Sequence, residues 1–349
     1  MSLTLTVDGE RWRRHLRTFA DATPGLVPVA KGNGYGFRVG RLARRAAWLG
    51  VDTLAVGTYD ELAEVYQRFD GDLLVLTPWR PTCHEVPDGV PARRVIHTVS
   101  RLSDLLALID RDPGARIVLE RMTSMRRHGM SADELRTAAR LLDRRPARVE
   151  GVALHLPLAG GTHLTEVMRL VNDVVAAELP TRTLWVSHLT PRELASLRTS
   201  YADFEVRPRI GTDLWLGDRE ALRVTATVLD VHEVERGDVF GYRGRTAPKA
   251  GHILVVSGGT AQGIGLEAPI GDHSLRARAA TLARGGMDAV GFVRSPFTVD
   301  GKARLFAEPP HMQASMLFLP HGPRVPQVGD EIAVRVRHTA TDFDRIVVT

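Results

Sequence analysis

Lysine is scarce in this chain. It occurs only at positions 31, 249 and 302, although lysine and arginine together number 46. Lys31 has the most suggestive setting. An apolar run, Leu26-Val-Pro-Val-Ala30, ends on it, and a glycine-rich turn, Gly32-Asn-Gly-Tyr-Gly36, follows. Arginine keeps its proton, whereas a desolvated lysine can lose it and attack a carbonyl. A lysine at a strand end, in a chain that otherwise uses arginine for positive charge, points to nucleophilic or proton-transfer work. Tyr35 adds a hydroxyl to the same turn.

Four more segments gather chemically capable residues: Glu120-Arg-Met-Thr-Ser-Met-Arg-Arg-His-Gly129, Ala153-Leu-His155, His188-Leu-Thr-Pro-Arg-Glu193 and Arg209-Ile-Gly-Thr-Asp-Leu-Trp-Leu-Gly217. In the third, Thr190-Pro-Arg-Glu193 reads as a helix start, with an N-cap threonine, proline at the first helical position and a glutamate closing a capping box.

What positions these segments is an alternation of strand-like and helix-like runs between about residues 25 and 217. The expected strands are Leu26–Lys31, Thr53–Thr58, Leu73–Thr77, Arg94–Val99, Arg116–Arg121, Val149–Leu156, Thr183–Leu189 and Phe204–Gly211. Amphipathic runs between them predict helices over Arg41–Leu49, Tyr59–Arg68, Leu102–Asp110, Ala132–Asp143, Thr165–Ala177 and Pro191–Arg198. The proline-rich stretch Pro78 to Arg93 shows little periodicity. Eight strand–helix units in about 200 residues predict a closed (β/α)8 barrel over residues 8–217. An open doubly wound sheet is the alternative, but no G-x-G-x-x-G opens a helix. In such a barrel the active site gathers at the C-terminal strand ends, and Lys31 is at one. Residues 218–349 read instead as short strands, Arg223–Glu235, His252–Ser257, Ala289–Arg294, Ala303–Ala307 and Glu331–Arg337, separated by turns such as Arg236-Gly-Asp238, Val299-Asp-Gly301 and Val328-Gly-Asp330, which predicts a mostly antiparallel β domain that residues 1–7 join.

Composition sets the outer limits. At 44% hydrophobic and 25% charged, the chain reads as an ordinary globular protein. No apolar run is long enough to cross a bilayer, and the alternating start Met1-Ser-Leu-Thr-Leu-Thr-Val7 is strand-like rather than a signal peptide, so a cytoplasmic location with no membrane partner is expected. One cysteine, Cys83, excludes an intrachain disulfide and a multi-cysteine zinc site, and no metal is expected. A net charge of +5 is spread among alternating acids, which argues against nucleic-acid binding.

The five motifs, in their order and spacing, resemble alanine racemase and its relatives, the fold-type III pyridoxal-phosphate enzymes. The resemblance implies pyridoxal 5′-phosphate as cofactor, an amino acid as substrate and a head-to-tail homodimer. Lys31 matches the lysine that forms the Schiff base and acts as one catalytic base. Tyr35 matches a tyrosine that hydrogen-bonds the cofactor phosphate. Arg209 matches the arginine that faces the pyridine nitrogen, though Arg207, two residues away and on the same strand face, is an alternative by periodicity alone. Gly211 and Thr212 offer backbone N–H groups to the phosphate, and Thr190 stands where the family has a phosphate-binding serine. His155 matches the histidine beside the cofactor ring. Arg127 matches an arginine touching the cofactor oxygen and the substrate carboxylate, and Glu120 falls where many relatives carry a carbamylated lysine.

The second half departs from the family. Racemisation there uses a tyrosine from the partner's β domain as the opposite-face base. Tyr242 aligns with a structural tyrosine four residues earlier, and the catalytic place falls near Arg245 or Thr246. A Gly-Tyr-Ala-Asp-Gly pattern is replaced around Ser257–Ala261, and a Met-Asp pair appears as Met312-Gln313. Tyr242, His252, His273 and His311 are the candidates for a substitute base. The expected function is a pyridoxal-phosphate-dependent, racemase-like isomerase with alanine itself in question. The alternatives are a cofactor-binding paralogue without turnover and one-base chemistry on another amino acid.

Overall fold

A computed structural model describes residues 2–83, 85–145, 147–158, 162–266, 293–322 and 324–349. The expected base candidate His273 and most of the expected strand Ala289–Arg294 lie outside the described residues. The chain forms two compact units, residues 13–217 and residues 1–12 with 218–349.

The first strand, β1 (Leu3–Val7), belongs to the second unit, and helix α1 (Gly9–Asp21) follows it. Eight parallel strands then close a barrel: β2 (Val27–Ala30), β3 (Thr53–Val56), β4 (Asp72–Val75), β5 (Val95–Val99), β6 (Arg116–Arg121), β7 (Arg148–His155), β8 (Thr183–Ser187) and β9 (Glu205–Ile210). Closure is made by β2 against β9, with Val27 opposite Arg209. The helices are α2 (Val39–Leu49), α3 (Leu62–Val65), α4 (Leu102–Arg111), α5 (Ala132–Arg144), α6 (Leu164–Ala176), α7 (Pro191–Ser200) and the short α8 (Thr212–Leu216). The fold is the (β/α)8 barrel that the alternation predicts, joined to a mostly antiparallel β unit. The longest departure is the helix expected over Tyr59–Arg68, which shrinks to the single turn of α3. The expected strands end one to two residues early at their C-terminal ends in most cases.

Buried Val27, Val29, Ala55, Leu74, Ile96, Val118, Ala153 and Trp185 fill the barrel interior. They come from all the strands except β9, so the barrel is a packed core with chemistry available only at its ends. One end is closed by charge pairs. Arg116 makes a bidentate pair with Asp72 and reaches Glu150, while Arg207 pairs with Asp52 and stacks over Trp185 at 4.8 Å. Asp52 and Asp72 stand at the starts of β3 and β4, which places Arg207 toward the N-terminal ends of the strands.

In the second unit, β10 (Leu222–Val234) pairs antiparallel with β1. β11 (Val239–Phe240) and β12 (Arg245–Thr246) form a small hairpin. β13 (Gly251–Ser257), β14 (Arg294–Val299), β15 (Lys302–Phe306), β16 (Ala314–Pro320), β17 (Glu331–Val334) and β18 (Arg345–Val348) complete the set. The sheet order is β13-β16-β15-β14-β17-β10-β1-β18, with β13 also pairing β10, and β1–β18 is its parallel pair. Among the described residues no helix is long and apolar enough to cross a membrane.

Candidate active site

Lys31 leaves the end of β2 and enters a turn built on left-handed backbone. Gly32, Gly34 and Gly36 all have positive φ, and so does Tyr35 at 54°. At Gly34 a Cβ would lie 2.6 Å from the Val39 amide, so this position requires glycine for space as well as conformation. Tyr35 has no such excuse. A tyrosine held at positive φ stores strain, which the fold tolerates because its ring is buried and its hydroxyl is placed. That hydroxyl lies on Gly211, where an added Cβ would come within 1.8 Å of it. Gly211 has φ of −115°, so its glycine is required for room and not for backbone freedom. Trp215, one turn later, donates its indole N–H to Val29 O at 2.8 Å and fixes the Gly211–Leu216 segment to the strand that carries Lys31. Lys31, Tyr35, Gly211 and Thr212 are thereby brought to one side of the barrel mouth.

Arg209 is the last buried side chain of β9, 6% exposed. Its Nε and Nη2 have no protein partner. Glu120, at 5% exposure near the end of β6, is close enough to support its charge, and it too has one oxygen without a partner. Burial pulls Arg209 down to about 10, Glu120 opposes that, and Arg127 adds to it, so the guanidinium stays charged at neutral pH. Burial likewise pushes Glu120 up, and the cations of Arg209, Arg127 and Arg80 hold it down. Lys31 is lowered from the ordinary lysine value first by desolvation, then by Arg127 and Arg209, while Glu61 raises it. Three cations and two carboxylates therefore meet at the strand ends, an arrangement that favours an anionic ligand. Arg207, with its partner Asp52, is not in this cluster.

Arg127 itself is exposed and rides on the loop after β6. That loop is pinned at several points. Met122 N–H donates to Met130 O, Met130 N–H to Glu120 O, and Thr123 hydroxyl to His155 O. Gly129 allows the crossing, since a Cβ there would lie 2.4 Å from the Met122 amide.

His155 ends β7 and its Nδ1 is 2.7 Å from Ser187 Oγ. Beside it lies His188, ring centroids 5.2 Å apart. His188 has φ of 60°, and its Nδ1–H donates to Leu156 O at 2.7 Å. Burial and the surrounding cations push His155 down to about 3 and His188 downward as well, so both imidazoles are neutral at pH 7. Ser187, His188 and Glu61 receive no role from the sequence. Of the three, only His188 sits in a strand-end motif, which is the available signal.

Thr190 caps α7. Its hydroxyl donates to Glu193 Oε2 at 2.8 Å and its oxygen accepts the Glu193 N–H at 3.3 Å, so an arriving phosphate would compete with Glu193 for that hydrogen. Glu193 also accepts from Thr190 N–H, Thr162 hydroxyl and His163 N–H, the last at the start of α6. A cleft of 520 Å³ lies alongside, lined by His188, Thr190, Ile210 and Asp213 among others. Burial raises the Glu193 carboxyl, but these donors outweigh it and hold it down at about 2. A depressed carboxylate contributes stability above its unfolded pKa, and loses it as pH falls from about 4.5 toward 2. Glu193→Gln is therefore expected to cost about 1–3 kcal/mol at pH 7 and to show a flatter decline in thermal stability between pH 5 and pH 3 than the wild type. Melting curves at pH 7, 5 and 3 check this.

The second unit carries its own group of polar side chains. Tyr242 is 89% exposed at the tip between β11 and β12, with Arg245 and Thr246 in β12. Its ring is 4.8 Å from that of His311, whose Nε2 is 2.6 Å from Glu308 Oε1. Glu308 is 2% exposed, tucked beneath Gly241. His252 lies apart from this group, against His321.

The profile of the family described as alanine racemase, N-terminal domain, matches residues 7–200. An alanine racemase of a Nitratiruptor species is 26% identical over 137 residues, which is 39% of this chain and 37% of that protein. The aligned region thus spans little more than a third of that curated relative. The alanine racemase of Bartonella henselae with covalently bound pyridoxal phosphate superposes with a TM-score of 0.71 at 18% identity, covering 97% of this chain and 91% of that one. The alanine racemase of Bacillus anthracis with bound L-Ala-P gives 0.70 at 20% identity, covering 99% and 87%. At such identities these structures speak for the fold, while the profile match, over more than half of the chain, speaks for descent: the chain belongs to the alanine racemase N-terminal domain family.

Proposed function

We propose that the protein is a pyridoxal-5′-phosphate-dependent, racemase-like enzyme acting on an amino acid. The observation that carries this reading is the buried Arg209, charged, with two guanidinium nitrogens lacking protein partners, beside the lowered amine of Lys31. A flat heteroaromatic ring with an acceptor nitrogen and a phosphate tail fits that setting. Arg209 would hold the ring nitrogen, and Tyr35 with the Gly211–Thr212 backbone would hold the phosphate, the lack of a side chain at Gly211 giving the Tyr35 hydroxyl its place. His155, neutral and tied to Ser187, would flank the ring without adding charge. The bound cofactor supplies an electron sink at the substrate α-carbon. A fixed cation at the ring nitrogen keeps that sink weak, which limits side reactions.

Lys31 holds or takes the α-proton on its own face. Desolvation and the Arg127–Arg209 pair favour its neutral form, the form able to accept a proton. Arg127, exposed on its pinned loop, is suited to a substrate carboxylate. Glu120 balances Arg127 and Arg209 without the modification that a lysine would need. The family's head-to-tail dimer is part of this reading. Titration of the protein with pyridoxal 5′-phosphate tests it: a visible absorbance band and a borohydride-trapped adduct on the Lys31 peptide are expected, and a colourless, unmodified protein overturns it.

For the opposite face, the second unit offers His311 rather than the exposed Tyr242. Of the named substitutes with described side chains, His311 is the one held by a buried carboxylate, which orients the ring. His311→Ala is expected to leave the absorbance band intact and to lower racemisation by about 10²–10⁴-fold, while α-deuterium exchange persists from one enantiomer. Chiral chromatography with deuterium wash-in on an amino-acid panel separates this from the alternative, a paralogue that binds the cofactor and shows no exchange from either enantiomer.

A further inference from the structure

Glu61 stands just ahead of α3 and has no counterpart among the motifs that carry the chemistry. Its two carboxylate oxygens are both engaged. Oε1 accepts the Gly32 N–H at 2.6 Å, from the residue directly after Lys31. Oε2 accepts the Gly57 N–H at 2.6 Å and the Thr58 N–H at 3.3 Å, from the residues directly after β3. One side chain thus bridges the turn that carries the amine to the end of the neighbouring strand. Packing repeats the message: a Cβ at Gly57 would come within 3.0 Å of Lys31 Cβ and 3.1 Å of Glu61 Oε2. Lys31, Gly57 and Glu61 are in a three-way contact that leaves no slack.

We propose that Glu61 is a positioning residue for Lys31, a carboxylate clamp that fixes the amine-bearing turn to the end of β3 and leaves its negative charge facing the amine. The proposal rests on Lys31 being the reactive amine. The physical reason for a carboxylate, rather than an amide, is the donor set. Three backbone N–H groups point at it, and a glutamine has one acceptor oxygen and would turn an NH2 toward the rest. The charge has a second effect. The groups facing Lys31 are Arg127 on the β6 loop, Arg209 on β9, and the neutral imidazoles of His155 and His188 on β7 and β8, with Tyr35 in its own turn. Glu61 is the one of these neighbours that opposes loss of the lysine proton. Without it the amine would be held by cations alone, with its turn untied.

The scarcity of lysine makes the test direct. In protein labelled with ¹⁵N and ¹³C at lysine and free of cofactor, three amines are followed through a pH titration. In Glu61→Gln the Lys31 midpoint is expected to fall while those of Lys249 and Lys302 stay put, and the Gly32 amide is expected to lose hydrogen-exchange protection. Glu61→Asp, which keeps the charge one methylene back, is expected to give a smaller change in each readout. At a pH above both midpoints, where the amine is neutral in either protein, the rate of borohydride-trapped adduct formation with pyridoxal 5′-phosphate is expected to fall about tenfold in Glu61→Gln, the loss of roughly one charge-assisted hydrogen bond in positioning. If both variants keep the wild-type Lys31 midpoint and Gly32 protection, the clamp is overturned, even if their melting temperatures fall. If Glu61→Gln does not fold, Glu61→Asp alone decides on the same readouts. Should the wild type form no adduct, the cofactor reading fails while the ligand-free titration still judges Glu61.

Discussion

Lys31→Ala is expected to remove the visible absorbance that pyridoxal 5′-phosphate induces, to leave no borohydride-trapped adduct at that position, and to lower α-proton exchange by at least about 10³-fold. The expectation follows from the environment and not from the residue type. Lys249 and Lys302 belong to the other compact unit and not to the barrel. Lys249→Ala and Lys302→Ala are therefore the internal controls, each expected to keep both absorbance and exchange. The fold should survive the substitution at Lys31, because the residue lies outside the β2 ladder and because removing its side chain relieves the repulsion with Arg127 and Arg209. Equal melting temperatures with and without the lysine, measured in the absence of cofactor, separate loss of chemistry from loss of structure.

The barrel is legible in the sequence because its strands are buried on both faces. Runs such as Leu73–Val75 and Val152–Leu154 are continuous and apolar, and amphipathic helices space them at regular intervals. The helix expected over Tyr59–Arg68 is not legible in extent, since Glu61 and its neighbours spend their hydrogen-bonding on strand ends and the turn after Lys31 in place of a longer helix. In the second unit β16 escapes the pattern: Ala314–Pro320 is mostly apolar and shows no alternation, although the structure buries every second residue. β18 escapes because it pairs with β1 across nearly the whole length of the chain, a partner no local pattern reveals. Of the candidate site, the residues in motifs are legible and the residues that hold them are not. Glu61, Ser187 and Glu308 act through distance in space, and no spacing in the sequence announces them. The choice between Arg209 and Arg207 is likewise open to periodicity. It is a matter of depth: one pairs with Asp52 beside the start of β3, the other stands with Glu120 and Lys31 at the mouth.

Gly211→Ala is the other substitution with a large expected effect. The new methyl would lie 1.8 Å from the Tyr35 hydroxyl oxygen and 2.5 Å from Tyr35 Cζ, distances no Cβ tolerates. One partner must move. The Gly211 backbone is held one turn on by Trp215 and its bond to Val29 O, and its carbonyl already accepts the Trp215 N–H. Tyr35, at φ of 54°, is already in a strained conformation and is the partner that yields. Expulsion of that ring costs a buried aromatic contact, about 2–3 kcal/mol of stability, and withdraws the hydroxyl from the place proposed for the phosphate. Cofactor affinity is expected to fall about 100-fold, with inorganic phosphate losing its competition against cofactor binding as well. The decisive comparison is the double substitution. If the methyl acts only by displacing Tyr35, then Gly211→Ala on a Tyr35→Ala background costs almost nothing further, in stability or in affinity. Tyr35→Phe removes the oxygen but leaves Cζ at 2.5 Å, so it is expected to relieve only part of the clash. Full additivity of the Gly211 and Tyr35 substitutions would mean that the two residues serve the site separately, and that the hollow at Gly211 was never the tyrosine's seat.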